Sequence, residues 1–147
     1  MWRDDVNQYL ALTDLGQAHA HLALKKYEEA RNSVESALHR MDKSNATFIG
    51  IPYNRMRAYT LLGDALSREG KPAQARDAYR KALAVPMQSS ETDLLKLRQF
   101  AWICERLAEL PGEDRCARYR EASAYWDQWR ARGGGPPPAT SAPASCR

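Results

Sequence analysis

The sequence is poor in the features that mark membrane proteins, secreted proteins and nucleic-acid-binding proteins. No stretch approaches the roughly 18 consecutive apolar residues of a membrane-spanning helix, and the opening MWRDDVNQYL lacks the apolar core of a secretory signal. Lys and Arg number 22 against 18 Asp and Glu, and both signs are mixed along the chain. The net charge of +4 therefore does not indicate an anionic partner. We expect a cytoplasmic protein that binds neither membranes nor nucleic acids.

Motifs for catalysis and cofactor binding are also missing. The sequence has no Gly-rich phosphate loop, no nucleophile elbow, and neither the His-Arg-Asp nor the Asp-Phe-Gly motif of kinases. His19 and His21 are close in sequence, but residues two positions apart on a helix point to nearly opposite faces. They cannot clasp one metal ion. The sequence therefore predicts no metal site, no cofactor and no enzymatic activity.

What the sequence does contain is helical periodicity, clearest in residues 59–83, YTLLGDALSREGKPAQARDAYRKAL. Apolar or small residues recur at the spacing of one helical face, first at Tyr59, Leu62, Gly63 and Leu66, and again at Ala75, Ala78, Tyr79, Ala82 and Leu83. Between the two runs lies the turn sequence Glu-Gly-Lys-Pro, with Gly near a helix end and Pro near a helix start. Two helices joined by so short a turn must be antiparallel, which predicts a helical hairpin.

The same pattern occurs on both sides of this hairpin. Before it, Leu15-Gly16 and Ala30 repeat the motif, but their spacing is two residues longer. Either the turn near residues 24–26 holds two extra residues or the first helix is shifted in phase. After it, LRQFAWICERLAELPGEDRCARYREA repeats the first helix, and its second helix fits if the pattern slips by one residue, to Tyr119 and Ala122.

These residues resemble the tetratricopeptide repeat, whose pattern is a large residue, Leu-Gly, a bulky residue, Gly at the turn, Ala, an aromatic residue and Ala-Leu. The resemblance implies an all-α fold of antiparallel hairpins, stacked as a short right-handed superhelix of about six helices. Repeats at about residues 8–43, 53–86 and 92–132 would form one domain, 1–132. Residues 133–147, GGGPPPATSAPASCR, have too few apolar side chains to fold and are expected to be a disordered tail.

The resemblance also implies a function, because proteins of this family bind peptides on the concave surface formed by the first helices. The family's groove positions fall on nine residues here: Thr13, Gln17, Arg57, Thr60, Asp64, Arg68, Arg98, Trp102 and Glu105. Of the positions with which some members hold the acidic C-terminus of heat-shock chaperones, only Arg98 matches. We therefore predict a protein-protein interaction module for a peptide or partner protein other than a chaperone tail.

A second class of function stays open. The closing segment ARYREASAYWDQWRARG is also similar to repeat regions of bacterial serine/threonine kinase-type signalling proteins, which would make this a regulatory repeat region of a larger protein. Trp126 and Trp129, three residues apart, share one helix face. That face covers the third hairpin or, if exposed, lets the chain self-associate as a scaffold and form a homodimer.

Three cysteines complete the list of candidate residues. Cys104 and Cys116 occupy the positions of Gly63 and Ala75, so we expect them to be neighbours across the third hairpin. Buried free thiols that pack as small apolar groups are the expected state, with a disulfide or redox pair as the alternative. Cys146 lies in the tail and is expected to be an exposed, unpaired thiol.

Overall fold

The computed structural model describes residues 2–44, 50–86, 93–137 and 142–146. Within these ranges the chain forms α-helices and a 3-10 helix, η1, without any strand, so the expected all-α fold is confirmed. The helices are α1 (Trp2–Ala23), α2 (Tyr27–Lys43), α3 (Gly50–Arg68), α4 (Pro72–Ala84), α5 (Asp93–Ala108), α6 (Arg115–Ala131) and η1 (Ala144–Cys146). The chain divides into an N-terminal unit, Met1–Gln88, and a C-terminal unit, Ser89–Arg147.

In the N-terminal unit, α1 pairs with α2 and α3 pairs with α4, and the two hairpins meet where α2 packs against α3. The residues of this core are mostly small, which lets the helices approach closely. They are Ala11, Leu15, Ala18 and Leu22 on α1, Ala30, Val34, Ala37 and Met41 on α2, and Ala58, Leu61 and Ala65 on α3. Burial of this continuous apolar surface is what holds the stacked hairpins together.

Both hairpins turn in the same way. The turns at residues 24–26 and 69–71 each have three residues, and the central residue has positive φ, 59° at Lys25 and 76° at Gly70. The first turn therefore holds no extra residues, and the phase-shift alternative is the right one. Ala18 is fully buried and takes in α1 the place of Gly63 in α3. Gly16 is exposed, with no atom within 4 Å of where a Cβ would lie.

Gly63 is required by the close approach of α3 to α4. A side chain at this position would overlap the ring of Tyr79, which is only 2% exposed. The pairing of a glycine with a facing aromatic residue explains why the pattern of small and large residues recurs on the two helices of this hairpin.

In the C-terminal unit, α5 and α6 form a hairpin closed by a longer turn, residues 109–114. Asp114 caps α6, since its carboxylate accepts a hydrogen bond from the amide of Ala117 at 3.0 Å. Tyr119 and Ala122 are buried whereas Arg120 is exposed. The one-residue slip in the third repeat is therefore confirmed.

The expectations for the cysteines need one correction. Cys104 is a buried free thiol, as expected. Cys116, however, forms a disulfide with Cys146, so the prediction that Cys146 is unpaired is wrong. After α6, Gly133 and Gly135 have positive φ, and η1 packs against α6. The described parts of the predicted tail, residues 133–137 and 142–146, thus include a short helix covalently tied to α6.

Candidate functional site

One side of α3 carries the charged residues of the predicted groove. Arg57, Asp64 and Arg68 are spaced by seven and four residues, which places them on one helix face. Arg57 is half-buried and Arg68 is exposed. The Nη1 atom of Arg57 lies 3.4 Å from Oδ1 of Asn54, a weak contact within the same helix. The two arginines are about 16 Å apart along the helix axis.

Asp64 connects this charged face to the packing of the hairpin. The hydroxyl group of Tyr79 on α4 donates a hydrogen bond to Oδ1 of Asp64 at 2.6 Å. Since Tyr79 is buried against Gly63, the carboxylate between the two arginines is held in a fixed position.

Thr60 does not join this face. It is 6% exposed, and its hydroxyl donates to the carbonyl oxygen of Met56 at 2.8 Å. Its side chain is therefore buried and satisfied within its own helix, and it is not available to a ligand. Thr60 falls on a groove position of the family, and its polar residue type gave no sign that its side chain is buried.

Thr13 and Gln17 on α1 are exposed, and the hydroxyl of Thr13 donates to the carbonyl oxygen of Tyr9 at 2.9 Å. With Ala18 in the place of Gly63, however, Thr13 and Gln17 correspond to Ala58 and Leu62 on α3, which pack against α2. The register on which they were chosen is therefore wrong by two residues. The charged face of α3 has no charged counterpart on α1.

The three predicted residues on α5 lie together. Arg98, Trp102 and Glu105 follow the four- and three-residue spacing of one helix face, and the Cζ of Arg98 is 4.9 Å from the centre of the Trp102 ring. This is the geometry of a cation–π contact. The Nε atom of Arg98 is buried and has no hydrogen-bond partner among the described residues.

Aromatic rings from α6 support this cluster. Trp126 is 5% exposed and meets Trp102 edge to face, with ring centres 6.1 Å apart. Its Nε1 donates to Oε1 of Glu105 at 3.1 Å. Trp129 packs edge to face on Trp126 at 5.4 Å and is covered by the backbone of Gly134, where a side chain would overlap the indole. Of the two expected arrangements, the aromatic face covers its own hairpin.

Cys104 is the free cysteine of the described part of the chain, and it is buried. Burial, reinforced by the nearby carboxylate of Glu121, raises the pKa of the Cys104 thiol to about 12, so this thiol stays protonated at neutral pH. Among the described residues, no three His, Cys, Asp or Glu side chains are grouped as metal ligands. None of the helices described combines the length and apolar character needed to cross a bilayer.

Comparison with known proteins bears on the α3–α4 hairpin most directly. A family model described as tetratricopeptide repeat matches residues 57–85. The chain is 36% identical over 69 residues to small glutamine-rich tetratricopeptide repeat-containing protein 2 of Saccharomyces cerevisiae (strain ATCC 204508 / S288c). This match spans 47% of the chain and 17% of the yeast protein. No solved structure matches the chain.

These matches concern the resemblance to the tetratricopeptide repeat. The similarity to repeat regions of bacterial kinase-type proteins is not tested by them and stays a prediction. Residues 57–85 form the helical hairpin that the pattern predicted, one match is to a tetratricopeptide repeat model over these residues, and the other is to a protein whose name includes that repeat. The predicted resemblance to the tetratricopeptide repeat is therefore confirmed for this hairpin.

Proposed function

We propose that the protein is a protein-protein interaction module that binds a peptide or partner protein along the first helices of its hairpins, the concave face of the expected superhelix. The observation that carries this proposal is the charged face of α3. Arg57 is half-buried and Arg68 is exposed on the first helix of the matched repeat, whereas Leu61 between them, like Thr60 and Gly63, is buried. Arg57, Asp64 and Arg68 are thus the members of this face that are left outside the core.

The spacing of the charges favours an extended ligand. About 16 Å between the two arginines equals the length of roughly five extended residues. Each guanidinium group offers forked donors to a carboxylate. The fixed carboxylate of Asp64 between them attracts a donor or a basic side chain. A peptide with acidic residues at both ends and a basic or polar residue between them fits this face.

On α5, Arg98 and Trp102 would contribute in the same way. The guanidinium group is oriented by the indole on which it stacks, and Trp102 is held by Trp126. A preoriented Arg beside a large aromatic ring loses little conformational entropy on binding, which is typical of residues that dominate binding energy. We expect this pair to serve a protein ligand rather than a reaction.

Two further observations bear on the alternatives. The named relative contains tetratricopeptide repeats and is much longer than the matched segment, so a role as one region of a larger protein remains compatible with this proposal. Self-association through the closing aromatic helix is not favoured, because Trp126 is buried and Trp129 is covered by Gly134.

A peptide-display selection on the purified chain tests the proposal. Peptides that bind would be measured by fluorescence anisotropy against wild type, the double variant Arg57→Ala/Arg68→Ala, and Arg120→Ala, which removes an exposed arginine from α6. We expect the double variant to weaken binding by about tenfold or more and the control to leave it unchanged. Equal affinities for all three proteins, or no selected peptide at all, would refute binding at this face.

A further inference from the structure

A row of exposed side chains follows α1 from Val6 to Leu24, in the turn directly after the helix, on the side away from the core. Its members alternate at four- and three-residue spacing, and every one is exposed: Val6, Leu10, Thr13, Gln17, Ala20 and Leu24. We call this row the α1 seam. Val6, Leu10 and Leu24 are 41%, 39% and 65% exposed, although they are large and apolar. This spacing is that of a helix that packs lengthwise against another helix.

The equivalent face of the second hairpin is covered, and it shows which side chains pack there. The seam positions from Leu10 onward correspond, 45 residues later, to Arg55, Ala58, Leu62, Ala65 and Glu69. In α3 and the turn directly after it, these residues lie in or against the shared core or form ion pairs with α2. Ala58 and Ala65 are fully buried in the shared core and Leu62 packs against it. Arg55 and Glu69 form ion pairs with Asp42 and Arg31 on α2.

The α1 seam differs from that docking face at its two ends. Where the second hairpin has the charged residues Arg55 and Glu69, the first hairpin has Leu10 and Leu24. A helix like α2, which offers Asp42 and Arg31 to the ends of α3, would leave both charges unpaired on α1. The occupant must therefore present apolar side chains at both ends of the seam.

The seam itself meets this requirement when two copies lie antiparallel. In that arrangement Val6 faces Leu24 of the second copy, Leu10 faces Ala20, and Thr13 faces Gln17. Each leucine is matched with a smaller apolar side chain, and the two polar side chains meet each other. The three pairings share one register, with the two-fold axis at Leu15, and they repeat symmetrically beyond it.

The backbone and the charge near the two-fold axis are compatible with the same register. Gly16 lies one residue from the axis with open space around it, which permits close approach. Asp14, also near the axis, is already compensated by Arg40 at 2.9 Å.

We propose that the α1 seam is a self-association surface, on which two copies of this chain pair through antiparallel α1 helices. This proposal stands apart from peptide binding, since it uses neither α3 nor α5. It also assigns a role to Thr13 and Gln17 as the polar centre of the seam. A polar pair at the centre of an apolar interface fixes its register.

Sedimentation velocity over a concentration series tests the interface in the full chain. We expect wild type to shift from monomer to dimer with rising concentration. Leu10→Glu should raise the dissociation constant by about tenfold or more, because it buries a charge in both halves of the interface. Leu12→Glu is the matched control, since Leu12 is similarly exposed, at 42%, but lies off the seam, and it should leave the constant unchanged.

The register is tested separately by single cysteines and mild oxidation. Gln17→Cys places two thiols on the seam itself, about 6 Å apart along the helices, and should give a covalent dimer. Leu24→Cys places them about 27 Å apart along the helices and should give none. A monomer at every concentration would overturn the proposal, as would equal effects of the two glutamate variants. A dimer that Leu24→Cys links and Gln17→Cys does not would show a parallel or different pairing, and would overturn it too.

Discussion

The α3–α4 and α5–α6 hairpins share one sequence pattern, but different side chains pack between their two helices. In α3–α4 the small residue is Gly63, and the ring of Tyr79 lies directly against it. In α5–α6 a thiol, Cys104, occupies the corresponding place, and the buried tyrosine comes one residue earlier, at Tyr119. A side chain at position 63 would overlap the ring of Tyr79. A side chain at the equivalent position 104 therefore goes together with a tyrosine that lies one residue earlier on the facing helix.

The two hairpins also differ in what covers them. Hairpin α3–α4 packs its first helix against α2, a neighbouring repeat. Hairpin α5–α6 is covered within its own unit by tryptophan rings and by a tail that is covalently bound to α6. Stacking therefore stabilises the matched repeat, whereas local aromatic packing and a cross-link stabilise the divergent one. The predictions below test that difference.

The largest effect is expected for Trp126→Ala in the C-terminal hairpin. Removing a ring that is 5% exposed and contacts both Trp102 and Trp129 should lower the free energy of unfolding by about 3–5 kcal/mol. Urea denaturation followed by circular dichroism measures this. Trp126→Phe, which keeps an aromatic ring but loses the hydrogen bond to Glu105, should cost clearly less. Equal losses would mean that the hydrogen bond, not the packing, is decisive.

The cross-link should have the next largest effect. The disulfide joins residues 30 positions apart, and opening a loop of that size costs about 3.6 kcal/mol in the chain-entropy model. We expect dithiothreitol to lower the melting temperature of wild type by several degrees. Cys116→Ser should show the lower value already and should not respond to the reductant. A response of the variant equal to that of wild type would contradict the assignment of this disulfide.

A matched pair of glycine substitutions separates the two registers of the N-terminal unit. Gly63→Ala forces the ring of Tyr79 to move and should destabilise the chain by about 1–3 kcal/mol. Gly16→Ala meets no atom and replaces a helical glycine, so it should stabilise by about 0.5–1 kcal/mol. Changes of opposite sign in the free energy of unfolding, measured by urea denaturation, would support the register in which Ala18 corresponds to Gly63. Destabilisation by both would contradict it.

Local spacing was sufficient to predict the helices and most of their contacts. The recurrence at Tyr59, Leu62, Gly63 and Leu66 determines which side of α3 is apolar, and the slip at Tyr119 follows from the same periodicity. The register of α1 was not predictable in this way. The dipeptide Leu15-Gly16 imitates the motif of the second repeat, whereas burial depends on Ala18, and only the packed structure separates the two.

Long-range geometry was beyond the sequence pattern. The composition of residues 133–147 gives no reason to expect order, yet Cys146 forms a disulfide with Cys116 and η1 packs against α6. Thr60 was assigned to the binding face because it falls on a groove position of the family that the sequence resembles, but its hydroxyl is satisfied by the backbone of α3 itself. At this position, neither the resemblance nor the residue type indicated that the side chain is buried.

The smallest expected effect concerns the tyrosine hydroxyl groups that distinguish the two hairpins. Tyr79 donates to Asp64 on the binding face, whereas Tyr119 donates to Glu109 in the turn after α5. The Tyr119 hydrogen bond, together with Arg115, holds the pKa of Glu109 below its ordinary value. Tyr119→Phe should lower the free energy of unfolding at pH 7 by about 1 kcal/mol or less, because Glu109 is largely exposed.

The pH dependence of the loss in stability caused by Tyr119→Phe identifies the group that accepts the hydrogen bond from Tyr119. A carboxyl group whose pKa is lowered by folding stabilises the fold fully above its unfolded pKa, about 4.3 for Glu, and loses this contribution as the pH falls through the lower folded pKa. The difference in the free energy of unfolding between wild type and Tyr119→Phe should therefore shrink steadily below about pH 4. Urea denaturation from pH 7 to pH 3 measures it. A difference that stays constant over this range would mean that the hydroxyl group stabilises the hairpin through some contact other than the ionised Glu109.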